Sequence, residues 1–293
     1  MVTKLKINTS MTKPLFKYNW KDLYLILYTI LMASLPFLLI GFGISFWILA
    51  IFLPVHGWLI TNLLNGPLHH HSHWPTFNNK TTNIIYEIWL SMIGSIPHQA
   101  WKYCHLKHHI YVNDKPVDGA TKDPMSVFLH GKNGEIENFW SYCIRITLDS
   151  CVGMLKIPNY SKPVNKTKII CEQWAFNLYL LSIFVLDFRY GIYMALVYFM
   201  SHFLNNATSY GEHWTVLDRR GDTTQDSIGI YSRWYNIIGF GAGYHQEHHN
   251  TPSLHWTQLS KLKPNMHPDR VIKGGMHITN NPYWSHFKLL FKK

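Results

Sequence analysis

Between Leu23 and Ile40 the chain runs eighteen residues without a charge, and after the break Gly41-Phe42-Gly43 it runs twenty-one more from Ile44 to Leu64. Each run matches the roughly 20 residues that cross a bilayer core as a helix. A second pair, Trp174 to Leu186 and Gly191 to Leu204, flanks the short link Asp187-Phe188-Arg189-Tyr190. The first of that pair is expected to begin near Ile169. The expected architecture is an all-α membrane protein with spans at about 23–40, 44–64, 169–186 and 191–206, paired as two hairpins.

Lysines orient these spans. Lys4, Lys6, Lys13, Lys17 and Lys21 precede the first, and Lys156, Lys162, Lys166 and Lys168 precede the third. The links inside each pair carry almost no cations. Positive residues collect on the cytoplasmic side, so both termini and a cap formed by 65–168 and 207–293 are predicted to be cytoplasmic, within one domain covering 1–293. The first run lacks a small-residue cleavage site after it, which reads as an anchor and not a removable signal. Four spans cover about 80 residues, which reconciles the mean hydropathy of −0.07 with a membrane protein.

A formal net charge of +11 suits anionic headgroups or an acidic partner protein. Nucleic acid is not expected, because the lysines sit beside apolar runs and form no RNA-binding motif. Cys104, Cys143, Cys151 and Cys171 make no CxxC pair, so neither a zinc ribbon nor a thioredoxin-like site is indicated.

The polar remainder is marked by histidine. With 19 histidines in 293 residues, the spacing HxxHH is expected roughly 0.08 times by chance, yet it occurs at His105, His108 and His109 and again at His245, His248 and His249. His69 and His73 add an HxxxH after the turn-like Asn65-Gly66-Pro67, where Pro67 suits the start of a new helix, and His213 stands alone in Gly-Glu-His-Trp. Spacings of three and four place imidazoles on one helix face. All nine fall on the side of the membrane that the lysines assign to the cytoplasm. Nine exceed the four to six ligands of one transition metal, so two metals are expected, and imidazole alone does not choose among iron, zinc, copper and nickel.

Less specific residues surround these. His70 and His71 lie off the His69/His73 face; His56, His98, His202 and His255 are isolated, and hydrogen-bonded packing suits them. Glu212 and Glu247 adjoin candidate ligands and can orient imidazoles. Asp118 and Asp123 follow the second cluster, where Asp123-Pro124 reads as a turn. Gly239, Gly241 and Gly243 do not form GxGxxG and suggest close backbone packing.

The three clusters around two apolar hairpins resemble the histidine boxes of the membrane-bound fatty acid desaturase and hydroxylase superfamily, over roughly residues 20–260. That group includes acyl desaturases, alkane and carotenoid hydroxylases and an alkene-forming fatty acid decarboxylase. The resemblance implies two iron ions that activate O2, the co-substrate, against an unactivated C–H bond. It assigns His69 and His73 to the first box, His105, His108 and His109 to the second, His245, His248 and His249 to the third, and His213 to an additional ligand. The motif Ser-Tyr-Gly-Glu-His-Trp is similar to the Glu-His motif of alkane hydroxylases and many bacterial members, which makes Glu212 a catalytic candidate. Acyl-CoA desaturases carry Asn where this chain has Ser209, so the animal acyl-CoA type is not matched. The implied partners are a lipid or fatty-acid substrate, the membrane itself (bacterial inner membrane, or endoplasmic reticulum in a eukaryote) and an external electron donor of ferredoxin, rubredoxin or cytochrome b5 type. The chain shows no dinucleotide fingerprint, ferredoxin-like cysteines or HPGG motif of its own. Desaturation is the expected reaction, with hydroxylation or decarboxylation as alternatives, and a metal transporter or metal-storage protein as the reading from another class.

Overall fold

A computed structural model describes residues 14–114, 117, 121–128, 135–153, 165–213, 227 and 229–262. Among these the named elements are all helical, and isolated bridge residues occur at Phe16, paired antiparallel with Phe77, and at Val117. Lys4, Lys6, Lys13, Lys156, Lys162 and Asp118 lie outside the described residues, as does much of the expected cap.

α1 (Asp22–Gly41) and α2 (Phe46–Leu63) cover the first two apolar runs, and Gly43 turns the chain between them at φ 58°. α2 does not stop at its polar end. It continues through a π-helical turn, Leu64–Leu68, into α3 (His69–His73), so the expected turn at Asn65-Gly66-Pro67 is a widened helix instead. Proline has no N–H to give and crowds the carbonyl four residues back; a π turn, with its longer bond register, accommodates it without ending the rod.

α4 (Lys80–Gly94) starts where Asn79 accepts from the Thr82 N–H at 3.0 Å and ends at Ser95 in the left-handed region. α5 (His98–Tyr111), α6 (Phe139–Gly153), α7 (Lys166–Leu186) and α8 (Phe188–His213) follow, then three short helices, α9 (Arg233–Ile238), α10 (His245–Asn250) and α11 (Trp256–Leu259). Among the described residues three stretches are long and apolar enough to cross a membrane: Asp22–Gly41, Phe46–His73 and Lys166–Leu186. α8 contains the fourth expected span but falls outside that set: Arg189, its tyrosines, His202 and Asn205 dilute the apolar half, and Asn206, Ser209, Glu212 and His213 make the other half polar.

α2 and α8 form the axis. Gly57 lets them approach, for a Cβ there would stand 2.6 Å from Met200 Cγ. Thr61 Oγ1 donates to the Ser201 carbonyl at 3.0 Å, and His56 Nδ1 meets the Tyr193 hydroxyl at 3.0 Å. The main apolar core gathers Leu63, Leu64, Leu68, Leu90, Ile183 and Val197 between these helices and α4 and α7. Outward, Trp47, Ile51 and Val185 are exposed by more than three quarters, the arrangement of a surface that faces hydrocarbon and not water.

Candidate metal centre

The site is assembled where α3 leaves the α2 rod, where α8 ends, and where α5 and α10 cross between them. His105, His109 and His248 join His69 and His73 in one nest, with ligand atoms all within 4.8 Å of one another. Their Nε2 atoms form a chain: His73 to His105 2.8 Å, His105 to His109 2.9 Å, His109 to His248 3.0 Å and His248 to His69 2.8 Å. A second nest holds His108, His213 and His249, and Glu212 with His245 converges on the same His213. There His108 and His245 each place Nε2 at 3.1 Å from His213 Nε2. The structure thus brings together all nine histidines and Glu212.

Neither HxxHH motif serves a single nest. At 100° per residue the i and i+4 rings diverge by about 40° while the i+3 ring stands about 60° to the other side. On α5 the outer pair, His105 and His109, faces the first nest and His108 the second; on α10 the outer pair, His245 and His249, faces the second and His248 the first. The two helices exchange their middle histidines.

The donor sets fit metal ions. Ligands about 2.1 Å from a common ion and at right angles lie about 3.0 Å apart, which is the spacing found. Burial, then the neighbouring imidazoles, hold His105, His109, His245, His248 and His249 well below the ordinary histidine range, so the rings are neutral and keep lone pairs. Both ring nitrogens of His249 are buried without a protein partner, which is costly unless something else is bound. Burial also raises the Glu212 carboxyl well above the carboxylate range; a cation beside it reverses that balance in favour of the anion. Glu212 Oε2 stands 3.4 Å from His245 Nε2.

Outer contacts fix the rings. His69 Nδ1 donates to the Asn65 carbonyl at 3.2 Å, a carbonyl inside the π turn. Trp101 stacks on His105 with centroids 4.5 Å apart. Asp123, expected only to make a turn, is fully buried and accepts from His108 Nδ1 at 3.1 Å and from the Asn113 and Met125 N–H groups at 2.9 Å each. Its position fifteen residues after His108 carries no helical register, so spacing gave no signal; the surplus of buried donors around it is visible only in three dimensions. Glu247 faces away and accepts from the Tyr231 hydroxyl at 2.9 Å.

The other described histidines are buried and hydrogen-bonded, so His70 and His71 are not surface residues. His70 bonds the Phe240 carbonyl, His71 the Thr76 hydroxyl, His98 the Ser72 hydroxyl, His202 the Ser95 hydroxyl and His255 the Asp22 carboxylate. Close packing accounts for two of the glycines before the third box: a Cβ on Gly243 would lie 2.2 Å from the Ile230 carbonyl oxygen and one on Gly239 3.0 Å from that of Tyr235, whereas Gly241 supplies a φ of 79°.

The family model described as fatty acid desaturase matches residues 44–279, most of the chain and every histidine of both nests. The chain belongs to the fatty acid desaturase family. A Caenorhabditis elegans protein provisionally described as a sphingolipid delta(4)-desaturase/C4-monooxygenase is 26% identical over 223 residues, 71% of this chain. This family member spans 56% of the length of that relative. No solved structure matches it.

Proposed function

We propose that this desaturase-family chain is an integral-membrane di-iron oxidoreductase that uses O2 to oxidise an unactivated C–H bond of a lipid chain, with fatty-acyl desaturation as the favoured outcome. The observation that carries this reading is the pair of adjoining imidazole nests built from all nine box histidines. His69, His73, His105, His109 and His248 would hold one iron, and His108, His213, His245 and His249 the other, with Glu212 at the second. Iron bound there supplies O2 activation and hydrogen abstraction.

The chain's own residues set the surroundings. Asp123 and Asn65 hold the tautomers of His108 and His69 with Nε2 turned inward. A small cavity bordered by Trp101, Met125, Asn205 and Ser209 opens onto both nests, the place where a reacting carbon would have to sit. Desaturation converts a CH2–CH2 unit, O2, two electrons and two protons into CH=CH and two waters; hydroxylation consumes the same electrons and protons and yields an alcohol and one water. Both need an external one-electron donor of ferredoxin, rubredoxin or cytochrome b5 type, and the cationic surface would steer an acidic carrier.

The proposed topology has four spans in two hairpins with the nests in a cytoplasmic cap. Its support is metric. The rod Phe46–His73 has 28 residues and α8 has 26, about 42 and 39 Å at 1.5 Å per residue, against a hydrocarbon core of about 30 Å. Each therefore overruns the core by about 10 Å, and in both the overrun ends at box histidines. A transporter would instead be expected to place its ligands near the midplane.

Hydroxylation is the second reading, favoured by the Glu212–His213 pair and by the double description of the nematode relative. A deuterated acyl-lipid substrate, followed by mass spectrometry with an O2-consumption assay, tests both. Loss of two hydrogens means desaturation and gain of one oxygen means hydroxylation. Iron-loaded protein that consumes no O2 with any acyl lipid and reductant would defeat the enzyme reading.

A further inference from the structure

Beneath the first nest lies a second group of ligand-type side chains that the oxidation chemistry does not use. Glu87 on α4, His98 at the start of α5 and Glu172 on α7 bring ligand atoms within 4.8 Å of one another. His98 and Glu172 are wholly buried. Glu172 Oε2 accepts from the Gln99 N–H at 2.9 Å, and His98 Nε2 meets the Ser72 hydroxyl at 3.2 Å. What remains is a buried carboxylate oxygen, Oε1 of Glu172, and a buried imidazole nitrogen, Nδ1 of His98, each without a partner.

Charge and spacing say what is missing. Lys168 pairs with Glu87 and its charge also acts on Glu172, so two carboxylates share one ammonium and a net negative charge is left in a buried setting, where an uncompensated charge is unfavourable. The orphan atoms are not hydrogen-bonded to each other. Ligands on a shared ion at about 2.1 Å lie up to about 4.2 Å apart; atoms gathered within 4.8 Å are near that span, so small side-chain shifts would seat one ion between them. A water would fill the space but would not balance the charge; a divalent cation does both. We propose that Glu172, His98 and Glu87 form a third metal site, structural in kind, for a divalent first-row ion such as zinc. Two carboxylates and one imidazole suit such an ion. It would tie together three helices and, through Ser72, brace the helix that carries His69 and His73.

The test uses full-length protein loaded with iron, exposed to zinc chloride, desalted and analysed for both metals. Wild type is expected to keep about one zinc per chain beyond its iron, and Glu172→Gln and His98→Gln to lose that zinc while keeping their iron. Zinc should also raise the melting temperature of wild type and leave Glu172→Gln, a near-isosteric change, unmoved. His108→Ala separates this site from the oxidation centre, since it should lose iron and retain the zinc. Equal zinc content in wild type and Glu172→Gln, or no zinc in either, overturns the site and leaves Glu172 as a protonated acid bridged by water to His98.

Discussion

Nδ1 of His108 faces the Asp123 carboxylate at 3.1 Å from Oδ2 and 3.2 Å from Oδ1, with both side chains out of solvent. A carboxylate only accepts, so Nδ1 carries the proton and Nε2 turns its lone pair into the second nest. Asp123 also takes the Asn113 and Met125 N–H groups, one on each oxygen.

The isosteric Asp123→Asn change is therefore expected to be harmful. Whichever way the amide is turned, its NH2 meets a backbone N–H, a donor against a donor, at a cost of about 1–3 kcal/mol. Loss of such an outer partner lowers metal affinity or activity about 10- to 100-fold. Iron per chain and the melting temperature measure the two effects, and wild-type values for both would exclude the role.

Adjacent histidines in the first box should behave differently from ligands across the nest. His108→Ala removes an inward Nε2 and is expected to abolish activity and reduce bound iron. His70→Gln removes no inward nitrogen, for His70 packs its ring against His69, Trp74 and Trp256 and bonds the Phe240 carbonyl; it should lower stability and keep its iron. Metal analysis of the two variants side by side decides, and full activity in His108→Ala would remove the metal assignment.

The site's membership was legible in the sequence because metal ligation demands one residue type at helical spacing, and HxxHH twice in one chain is improbable without such a demand. Its partition was not. Which ring of an i, i+3, i+4 set faces which nest depends on the crossing of α5 and α10, a tertiary quantity that leaves no mark on spacing. Asp123 was hidden for a related reason: an Asp-Pro pair satisfies local turn chemistry, and nothing local reveals that His108 and two N–H groups converge on the same carboxylate. Pro67 misled in the opposite direction, because a proline that usually begins or ends a helix is here absorbed by a π turn inside one. The apolar helices α1, α2 and α7 were plain, since bilayer thickness imposes a length that composition displays directly.

Glycine packing gives a stability test independent of chemistry. Gly243→Ala would set a methyl 2.2 Å from the Ile230 backbone oxygen, whereas Gly41→Ala meets nothing within 4 Å. Backbone cannot step aside as a flexible side chain can, so Gly243→Ala should cost about 2–3 kcal/mol and displace the third box. Gly41→Ala should be near neutral. Thermal unfolding followed by size-exclusion chromatography separates them, and equal midpoints would contradict the packing.

Topology is testable at two described positions. A reporter joined after Lys80 should read cytoplasmic, and one joined after Asp187, in the link between α7 and α8, should read from the opposite side. A cytoplasmic signal at both would remove the second hairpin from the membrane and, with it, the argument that α8 overruns the bilayer to deliver His213.

Glu212 separates ligand holding from turnover. It sits one residue before His213, its Oε2 lies 3.4 Å from His245 Nε2, and it borders the cavity next to both nests. Without a cation burial favours its protonated form, so whatever makes it anionic must be the positive charge it serves. Glu212→Gln keeps the shape and removes that charge. The imidazoles of His108, His213, His245 and His249 remain, so the second nest should still fill, while turnover falls about 10- to 100-fold. Glu212→Asp restores the charge on a shorter arm and should recover part of the rate. Loss of iron in Glu212→Gln would instead make the carboxylate an indispensable ligand, and unchanged turnover in both variants would end its catalytic candidacy while leaving the nine histidines untouched.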